Sequence, residues 1–456
     1  MEKKKATLPP TLKFPCTMFN NDKQTIEELN ILGKFRQGSV YGLFCQVKTR
    51  GGEQLLDHMF RNPLQDAVAI NQRSSVFQFF QQAQLVFPFD TSQLTLMREF
   101  MDTGTSKNKA LVFAATLIKK ILASITRDER YKKMMQGLQA TIVILNKCYQ
   151  FVEPLTDKPG PYQNRFRFIK NILVIPELEQ LRMVDIYQAL SVNTLAGYEY
   201  LLKSRLKEKL AEVLEFISEL DVNIAVGKTA AIRNFHYATA LTPEMNKLEA
   251  KNLFHPCVDK AIGNDLTMNG TSNVLFLTGA NMAGKSTLMK AIGINFYLAH
   301  MGFPVAASAM EFSVREGLYS SINVADNIGL GYSHFYAEVV RVKQAAVAAA
   351  SGRRLLLMFD ELFKGTNVKD AYDGTLAVTE GFADYSNCLF IVSTHIIEVG
   401  DALQGKKNIQ FVFMPTIMEG SIPRYPYKLA QGITEDRQGM LIINNEGILE
   451  LLDEEN

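Results

Sequence analysis

Residues 279–287 have the residue types and the spacing of a loop that binds the phosphates of a nucleotide. The pattern is G-x-x-x-x-G-K-[ST], in which the glycines let the backbone turn its N–H groups toward phosphate oxygens. Lys285 is expected to reach the β and γ oxygens, and the hydroxyl of Ser286 is expected to coordinate Mg²⁺. A chance glycine-rich turn is the alternative. The predicted nucleotide-binding residues are Gly279, Ala280, Asn281, Met282, Ala283, Gly284, Lys285, Ser286 and Thr287.

Two carboxylates, Asp360 and Glu361, follow an apolar run at residues 355–359. Asp360 is expected to hold Mg²⁺ through water or Ser286, and Glu361 is expected to polarise an attacking water, as in a hydrolase. The alternative is a strand-ending surface turn. His395 ends a second apolar run, at the edge where ligands collect in open α/β sheets. We therefore predict Glu361, His395 and Lys285 as catalytic residues.

The second part of the chain is predicted to be an α/β domain with a mostly parallel sheet. Short apolar runs are typical of strands that are buried on both faces, and strands here alternate with helical segments. A helix is expected at residues 285–298, directly after the loop. The predicted strands are residues 274–277, 355–359, 389–392, 411–414 and 440–443.

The first part, residues 22–250, is predicted to be helical because apolar residues recur three and four positions apart. Residues 199–221 are expected to form one long structural helix, since their apolar residues make a single stripe. Residues 157–161, Asp-Lys-Pro-Gly-Pro, mark a turn. On either side of that turn lie basic residues that either contact DNA phosphates or form a solvated helix face: Arg127, Arg130, Lys132, Lys133, Arg165, Arg167 and Lys170.

Composition limits the class of protein without naming a partner. With 456 residues the chain is expected to hold two or three domains, and a net charge of +2 neither demands nor forbids nucleic acid. The five cysteines are scattered singly, which fits a reducing cytosol. No apolar run approaches the ~20 residues of a membrane helix. We expect a soluble, cytoplasmic protein with no membrane partner.

Several motifs together resemble the MutS family of DNA mismatch repair ATPases. The order of motifs at residues 278–287, 302–306, 326–338, 360–366 and 393–395 is similar to the ATPase domain of that family. Residues 255–256 and 264–265 resemble the entry to that domain. Residues 38–44, 48–52 and 62–64 resemble the start of its helical core, so the resemblance covers nearly the whole chain.

The resemblance implies an ATP hydrolase whose activity DNA modulates, with ATP and Mg²⁺ bound in two composite sites of a homodimer. It implies that Ser333 reaches the nucleotide of the partner subunit and donates a hydrogen bond to the γ-phosphate. Ile262 is added to the ATP-binding residues, and Ala261 stands where an aromatic residue would stack on adenine. The implied segments are a leader at residues 1–20, a helical core and lever domain at 21–250, and a P-loop ATPase domain at 251–456.

Departures from the family leave two functions open. Recognisable core sequence begins within the first few dozen residues, so no domain with a Phe-x-Glu mismatch wedge is expected, and the helical part is short for a DNA clamp. The first function is a dimeric ATPase that engages mismatched or branched DNA in repair or recombination. The second is a nucleotide-switched dimeric scaffold that binds a protein partner. A third class, the ABC-type ATPases, needs a Leu-Ser-Gly-Gly signature, which this sequence lacks.

Overall fold

The computed structural model divides the chain into two compact units. The α/β unit comprises Met1–Leu43, Phe60–Ser74 and Asn234–Asn456, and the helical unit comprises Phe44–Met59 and Ser75–Arg233. The domain limits expected from the sequence stay a prediction. The structure describes residues 19–33, 38–126, 128–185, 188, 190–322, 334–419 and 422–434.

Helices make up most of the helical unit and flank the sheet of the α/β unit. They are α1 (Lys23–Glu28), α2 (Val40–Phe44), α3 (Arg50–Arg61), α4 (Ala67–Ala83), α5 (Thr91–Asp102), α6 (Lys109–Ile125), α7 (Arg130–Val152), α8 (Gln163–Leu173), α9 (Pro176–Arg182), α10 (Val192–Tyr200), α11 (Lys207–Arg233), α12 (Lys285–His300), α13 (His334–Ala350), α14 (Val368–Ala383) and α15 (Ile397–Leu403). None of the described helices is long and apolar enough to cross a membrane.

All the strands in the described residues belong to the α/β unit. They are β1 (Asn20–Asn21), β2 (His236–Tyr237), β3 (Thr239–Leu241), β4 (Lys247–Leu253), β5 (Asn264–Asn269), β6 (Val274–Gly279), β7 (Pro304–Val305), β8 (Ala309–Ser313), β9 (Gly317–Ser321), β10 (Leu355–Asp360), β11 (Leu389–Ser393), β12 (Ile409–Met414), β13 (Ile417–Glu419), β14 (Ile422–Arg424) and β15 (Ala430–Gln431).

The main sheet has the order β1-β9-β10-β11-β6-β12-β15, and all its described pairs are parallel except β12 with β15. Its central strands β6, β10 and β11 are buried along almost their whole length, as expected for strands covered by helices on both faces. The predicted α/β architecture with a mostly parallel sheet is confirmed. The predicted strand at residues 440–443 lies outside the described residues.

Residues 234–250 were expected to be helical, and this prediction is wrong. They form β2, β3 and the first part of β4, and β3 and β4 belong to a second sheet of order β3-β8-β4-β5. The strands are short, and their exposed and buried positions alternate irregularly. The sequence therefore carried no clear two-residue period, and the pairing is set by distant strands such as β8.

The helical unit is held by a core of aromatic and aliphatic side chains and by buried carboxylates, of which Asp221 is one. Tyr162 packs edge-on against Phe80 and Phe166, with ring centroids 5.4 and 5.2 Å apart. Asp221, on α11, accepts backbone hydrogen bonds from Lys48 and Thr49 at 3.0 and 2.7 Å. These contacts fix residues 48–49 on α11 and satisfy a carboxylate that is only 2% exposed.

The predicted single helix over residues 199–221 is interrupted, which corrects that prediction. Helix α10 ends at Tyr200, a π-helical turn spans Leu201–Arg205, and α11 begins at Lys207. Three stripe residues, Leu202, Leu206 and Leu210, are spaced four and four apart, whereas an α-helix repeats every 3.6 residues. The wider turn absorbs this excess, so that all three leucines are buried.

Candidate active site

The phosphate-type loop connects the end of β6 with the start of α12. Gly279 and Gly284 have φ angles of 142° and 99°, a region in which side chains are strained. A Cβ on Gly279 would lie 3.0 Å from the carbonyl oxygen of Met414, and one on Gly284 would lie 2.9 Å from the ring of Tyr427. The conformation and the close packing of the loop therefore both require glycine at these two positions.

Lys285, the first residue of α12, is 5% exposed and folds back into the loop. Its ammonium donates hydrogen bonds to the carbonyl oxygens of Gly279 and Ala280 at 2.8 and 3.1 Å. Burial lowers the pKa of Lys285, while the carboxylates of Asp360 and Glu361 act in the opposite direction. The cation thus has neutral direct partners, and the nearby negative charges do not fully offset its desolvation.

Ser286 and Asp360 form the second feature of the site. The hydroxyl of Ser286 donates a hydrogen bond of 2.5 Å to Oδ2 of Asp360, which ends β10. The other oxygen, Oδ1, is buried and has no hydrogen-bond partner among the described residues. No group of three His, Cys, Asp or Glu residues that could hold a metal occurs in the described part of the chain. The hydroxyl oxygen of Ser286 and Oδ1 of Asp360 are nevertheless suitable ligands for Mg²⁺, which is usually bound through one or two carboxylates together with substrate phosphates.

Glu361 follows directly, with a φ of 50° that is unusual outside glycine. Its Oε1 lies 3.7 Å from Nδ1 of His395, and its Oε2 lies 3.9 Å from Nζ of Lys364. The pKa of the Glu361 carboxyl is lowered, first by its polar contact with His395, against the raising effect of burial. The group is therefore a carboxylate at neutral pH, held between two basic side chains.

Strand register explains why the loop, the acidic pair and His395 lie at one edge. Asp360 pairs with Ser393 across β10 and β11, and Ser393 pairs with Leu277 across β11 and β6. The carboxyl ends of these parallel strands therefore coincide. His395, two residues beyond β11, keeps 53% of its side chain exposed. Ser393, whose buried Oγ has no hydrogen-bond partner among the described residues, was not predicted from the sequence.

A cavity of about 410 Å³ opens beside the loop, entirely within the α/β unit. The predicted residues Ile262, Met282 and Thr287 line it, together with Gly284 and the unpredicted aromatic Tyr427. An aromatic ring is thus present although Ala261 lacks one. Tyr427 is held by a hydrogen bond from the side chain of Asn264 to its carbonyl oxygen, at 3.0 Å across 163 positions of sequence.

The remaining predicted residues are placed as follows. Asn281 is exposed and Met282 is 76% exposed with a φ of 74°, whereas Ala283 is buried under the loop. Ser333 lies outside the described residues, and α13 begins at the next residue. The sequence did not predict that Lys364 lies beside Glu361, because this contact depends on the fold of the turn after Asp360. The roles assigned to all these residues stay predictions.

The fold and the loop define a class of protein, the P-loop nucleotide-binding α/β proteins. Residues 275–451 match the family model of MutS domain V. Curated relatives include the DNA mismatch repair protein MutS of Bacillus subtilis (strain 168), 28% identical over 366 residues, which are 72% of this chain and 41% of that protein. The MutS of Lawsonia intracellularis is 31% identical over 222 residues, 45% of this chain and 24% of that protein.

A third relative, the MutS of Geobacillus sp. (strain WCH70), is 27% identical over 248 residues, covering 52% of this chain and 28% of that protein. The chain thus matches between about a quarter and two fifths of the length of these relatives. Residues 275–451 thus resemble MutS domain V, and the chain is similar to MutS proteins over as many as 366 residues.

Proposed function

We propose that this protein is an Mg²⁺-dependent ATP hydrolase that works as a homodimer and couples its nucleotide cycle to DNA. One observation carries the hydrolase part. Lys285, the Ser286–Asp360 pair and Glu361 converge on one sheet edge beside a cavity of about 410 Å³. In an ion-pair network that serves only to stabilise the fold, each buried polar atom would have a hydrogen-bond partner. Here Oδ1 of Asp360 is buried and has none among the described residues.

In the proposed complex the base of ATP lies in the cavity lined by Ile262, Met282 and Tyr427. The triphosphate then follows the loop to the start of α12, whose N-terminal N–H groups and dipole favour negative charge. Lys285 exchanges the carbonyl oxygens of Gly279 and Ala280 for β and γ oxygens. This exchange supplies the negative partner that the buried ammonium lacks.

Ser286 and Asp360 are the residues that would hold Mg²⁺. When bound, the ion neutralises charge on the phosphate oxygens and orients them for in-line displacement. In the structure, the free oxygen of Asp360 and the Ser286 hydroxyl lie within one hydrogen-bonded pair, so neither side chain has to move far to become a ligand.

Glu361 accepts a hydrogen bond from the attacking water and orients it toward the γ-phosphorus. Because the pKa of Glu361 is lowered, the residue is a weak base, and its main contribution is to position and polarise the water. Nδ1 of His395 lies 3.7 Å from Oε1 of that carboxylate, and in the proposal His395 donates a hydrogen bond to the γ-phosphate or to the attacking water. Lys285 stabilises the charge that develops on the transferred group.

The homodimer and the assignment of Ser333 to the partner's nucleotide are carried over from the family resemblance. The relatives are named DNA mismatch repair proteins, and we extend the DNA role to this chain as part of the proposal. In the same terms, the helical unit corresponds to the family's core and lever. The cytoplasm, where DNA and ATP are both available, is the proposed location.

The alternative is a nucleotide-switched scaffold that does not bind DNA. It is supported by two of the predicted DNA-contacting arginines, whose side chains are bound to other groups of the helical unit. Arg165 makes ion pairs with Glu212 and Glu219 at 3.0 and 2.9 Å, and Arg167 donates to the carbonyl oxygen of Thr156. Both arginines are thus occupied within the helical unit. Among the predicted phosphate contacts, the exposed Lys132 and Lys133 on α7 are available to DNA.

Glu361→Gln tests the hydrolase. We expect hydrolysis to fall by about 10²-fold or more, because an amide does not polarise water as a carboxylate does, while ATP affinity is kept. Single-turnover hydrolysis and equilibrium binding of a fluorescent ATP analogue measure the two effects. Glu380→Gln, a half-exposed acid on α14 paired with Lys406, is the matched control. Full hydrolysis by the Glu361 variant would remove this residue from the mechanism.

Binding of duplex, mismatched and four-way-junction DNA at several salt concentrations separates DNA from a protein partner. Each phosphate contact makes log K fall with log salt by a slope of about 0.9, whereas protein docking shows no such dependence. A Lys132→Ala and Lys133→Ala double variant is expected to reduce the slope by about two. No salt-dependent DNA binding by the wild-type chain would support the scaffold.

A further inference from the structure

Two buried polar oxygens of the α/β unit are left unpaired at the ends of neighbouring strands. Oγ of Ser393, the last residue of β11, and Oδ1 of Asp360, the last residue of β10, have no hydrogen-bond partner in the part of the chain that the structure describes. An unpaired buried hydroxyl destabilises a fold, so each such group needs an explanation. The proposed function uses the carboxylate of Asp360 and gives the hydroxyl of Ser393 no role.

The register of the main sheet sets these two side chains next to one another. Asp360 and Ser393 are direct partners across the parallel pair of β10 and β11. Adjacent strands lie about 4.8 Å apart, and residues in register project their side chains from the same side of the sheet. Ser393 is fully buried, so its hydroxyl is enclosed beside the carboxylate and is not turned to solvent.

Both side chains lie on the side of the sheet that carries the nucleotide loop. The hydroxyl of Ser286, at the start of α12, donates to Oδ2 of Asp360, which places the Asp360 side chain toward α12. The preceding residue, Phe359, lies on the opposite side and stacks on Phe382 of α14, with ring centroids 5.3 Å apart. Because Ser393 is in register with Asp360, it also projects toward α12.

The main chain of Ser393 has a separate role. Its carbonyl oxygen accepts the backbone N–H of Glu361 at 2.8 Å. This bond belongs to the peptide groups, so it does not depend on the side chain at position 393. A substitution that removes the hydroxyl therefore leaves the anchor of Glu361 in place and changes the surroundings of Asp360.

We propose that Ser393 is a positioning residue for the divalent-cation site, and that its hydroxyl holds Oδ1 of Asp360 through one bridging water. The two oxygens belong to adjacent partners yet form no direct hydrogen bond, and one water spans such a separation. With Ser286 on Oδ2, both oxygens of the carboxylate are then held, and Oδ1 keeps a second lone pair for a cation. This inference rests on the proposed function, in which Asp360 is a ligand of Mg²⁺.

A purely steric role for Ser393 makes a different prediction. If the position required only a small side chain beside the start of α12, alanine would fit as well as serine, and cation binding would not change. Under the proposal, loss of the hydroxyl leaves one oxygen of a ligating carboxylate without support. Loss of such a supporting hydrogen bond typically weakens metal binding by about 10- to 100-fold.

Mn²⁺ binding to the full chain, measured by electron paramagnetic resonance, tests the proposal without turnover. Ser393→Ala is expected to weaken Mn²⁺ binding about tenfold, and Ser393→Thr, which keeps a hydroxyl, is expected to restore most of it. Ser321→Ala is the matched control, because it removes a buried hydroxyl at the end of β9 that is in register with Phe359 and so lies on the other side of the sheet. Urea unfolding verifies that each variant is folded.

Two results of this titration overturn the proposal. The first is equal Mn²⁺ binding by the wild-type chain and Ser393→Ala. The second is a folded Ser393→Thr chain that binds Mn²⁺ as weakly as Ser393→Ala, which would assign the effect to packing and not to the hydroxyl.

The Mg²⁺ dependence of ATP hydrolysis gives a second readout. Ser393→Ala is expected to raise the Mg²⁺ concentration at half-maximal rate about tenfold. The rate at saturating Mg²⁺ should stay within about twofold of the wild-type rate, because the main-chain bond to Glu361 is kept. A lower saturating rate with an unchanged Mg²⁺ requirement would place the hydroxyl at the attacking water and overturns the inference.

The outcomes separate this inference from the proposed function. If hydrolysis by the wild-type chain requires Mg²⁺ and Ser393→Ala requires no more of it, the inference fails and the proposed function stands. If the wild-type chain neither binds nor hydrolyses ATP, the proposed function fails. Mn²⁺ binding by the nucleotide-free chain that is weakened in Ser393→Ala and not in Ser321→Ala would still support the role of Ser393. A wild-type chain that binds no Mn²⁺ overturns both.

Discussion

Two buried lysines, one in each unit, differ in what neutralises them. Lys203, in the π-helical turn of the helical unit, donates to the carboxylate of Glu199 at 3.1 Å and to the hydroxyl of Thr103 at 2.6 Å. Among the described residues, Lys285 of the α/β unit donates to two main-chain carbonyl oxygens. Burial lowers the pKa of both lysines, so both pay a desolvation penalty.

This difference separates a buried charge that is satisfied within the fold from one whose direct partners are neutral. Lys203 and Glu199 satisfy one another, and the aromatic ring of Phe100, 4.0 Å from Nζ of Lys203, adds a favourable contact. In the part of the chain that the structure describes, no carboxylate is in hydrogen-bond contact with Lys285, although Asp360 and Glu361 are near enough to affect its pKa. Under the proposed function, an anionic ligand would complete the arrangement at Lys285, whereas Lys203 already has a carboxylate partner.

Lys285→Met gives the largest expected effect. It removes the cation and keeps an unbranched side chain, so ATP affinity should fall at least about 100-fold, or roughly 3 kcal/mol. The free energy of unfolding should stay level or rise, because a desolvated charge is lost. Titration with a fluorescent ATP analogue and urea unfolding measure the two quantities. Lys407→Met, in an exposed turn, is the control.

If the Lys285→Met chain lost stability and kept its ATP affinity, Lys285 would be a structural lysine like Lys203, and the proposed difference between the two would be wrong.

Lys203→Met should act in the opposite sense. It leaves the buried carboxylate of Glu199 with Lys119 at 3.4 Å as its remaining ion pair, so the chain should lose about 3 kcal/mol of stability. Adding Glu199→Gln should recover much of the loss, since the buried carboxylate that lost Lys203 is then replaced by a neutral amide. Urea unfolding followed by circular dichroism reports the change, and the folded variant should bind ATP normally. A stable single variant would show that Glu199 does not depend on Lys203.

Local spacing was enough to predict part of the site. The loop from Gly279 to Thr287 and the pair Asp360 and Glu361 are each contiguous in sequence, and each follows a buried apolar strand. Their meeting followed from the rule that parallel strands end at a common edge, which the pairing of Asp360 with Ser393 bears out. The roles of these residues in catalysis stay predictions.

Other parts depended on contacts that no local pattern encodes. Tyr427 reaches the cavity through a hydrogen bond that spans 163 positions, and Lys364 approaches Glu361 because Glu361 and Phe363 take positive φ angles. The turn in the long helix was missed because a spacing of four residues, as between Leu202, Leu206 and Leu210, also occurs on one face of an uninterrupted α-helix. Ser333 could be proposed only from the family resemblance.

His300, in α12, completes the comparison of buried titratable groups. It is fully buried, its Nε2 accepts the backbone N–H of Arg315 at 3.0 Å, and its Nδ1 lies 3.1 Å from the carbonyl oxygen of Phe296. Because Nε2 is an acceptor, Nδ1 must carry the proton and the ring is neutral. Burial lowers the pKa of His300 to about 3. Like Lys285, His300 has neutral hydrogen-bond partners. Unlike the lysine, however, it is neutral in the folded chain at pH 7.

This contrast predicts a pH dependence of stability, the smallest of the three effects. The pKa of His300 is 6.5 in the unfolded chain and about 3 when folded, so between these values the unfolded state binds the extra proton. Stability from this group is complete above pH 6.5 and falls as the solution is acidified, by about 2 kcal/mol at pH 5. His300→Asn should lower stability at pH 7 and reduce this slope in urea unfolding at the two pH values. An unchanged slope would mean that His300 takes up its proton while folded, and that a buried ring with neutral partners can carry charge as Lys285 does.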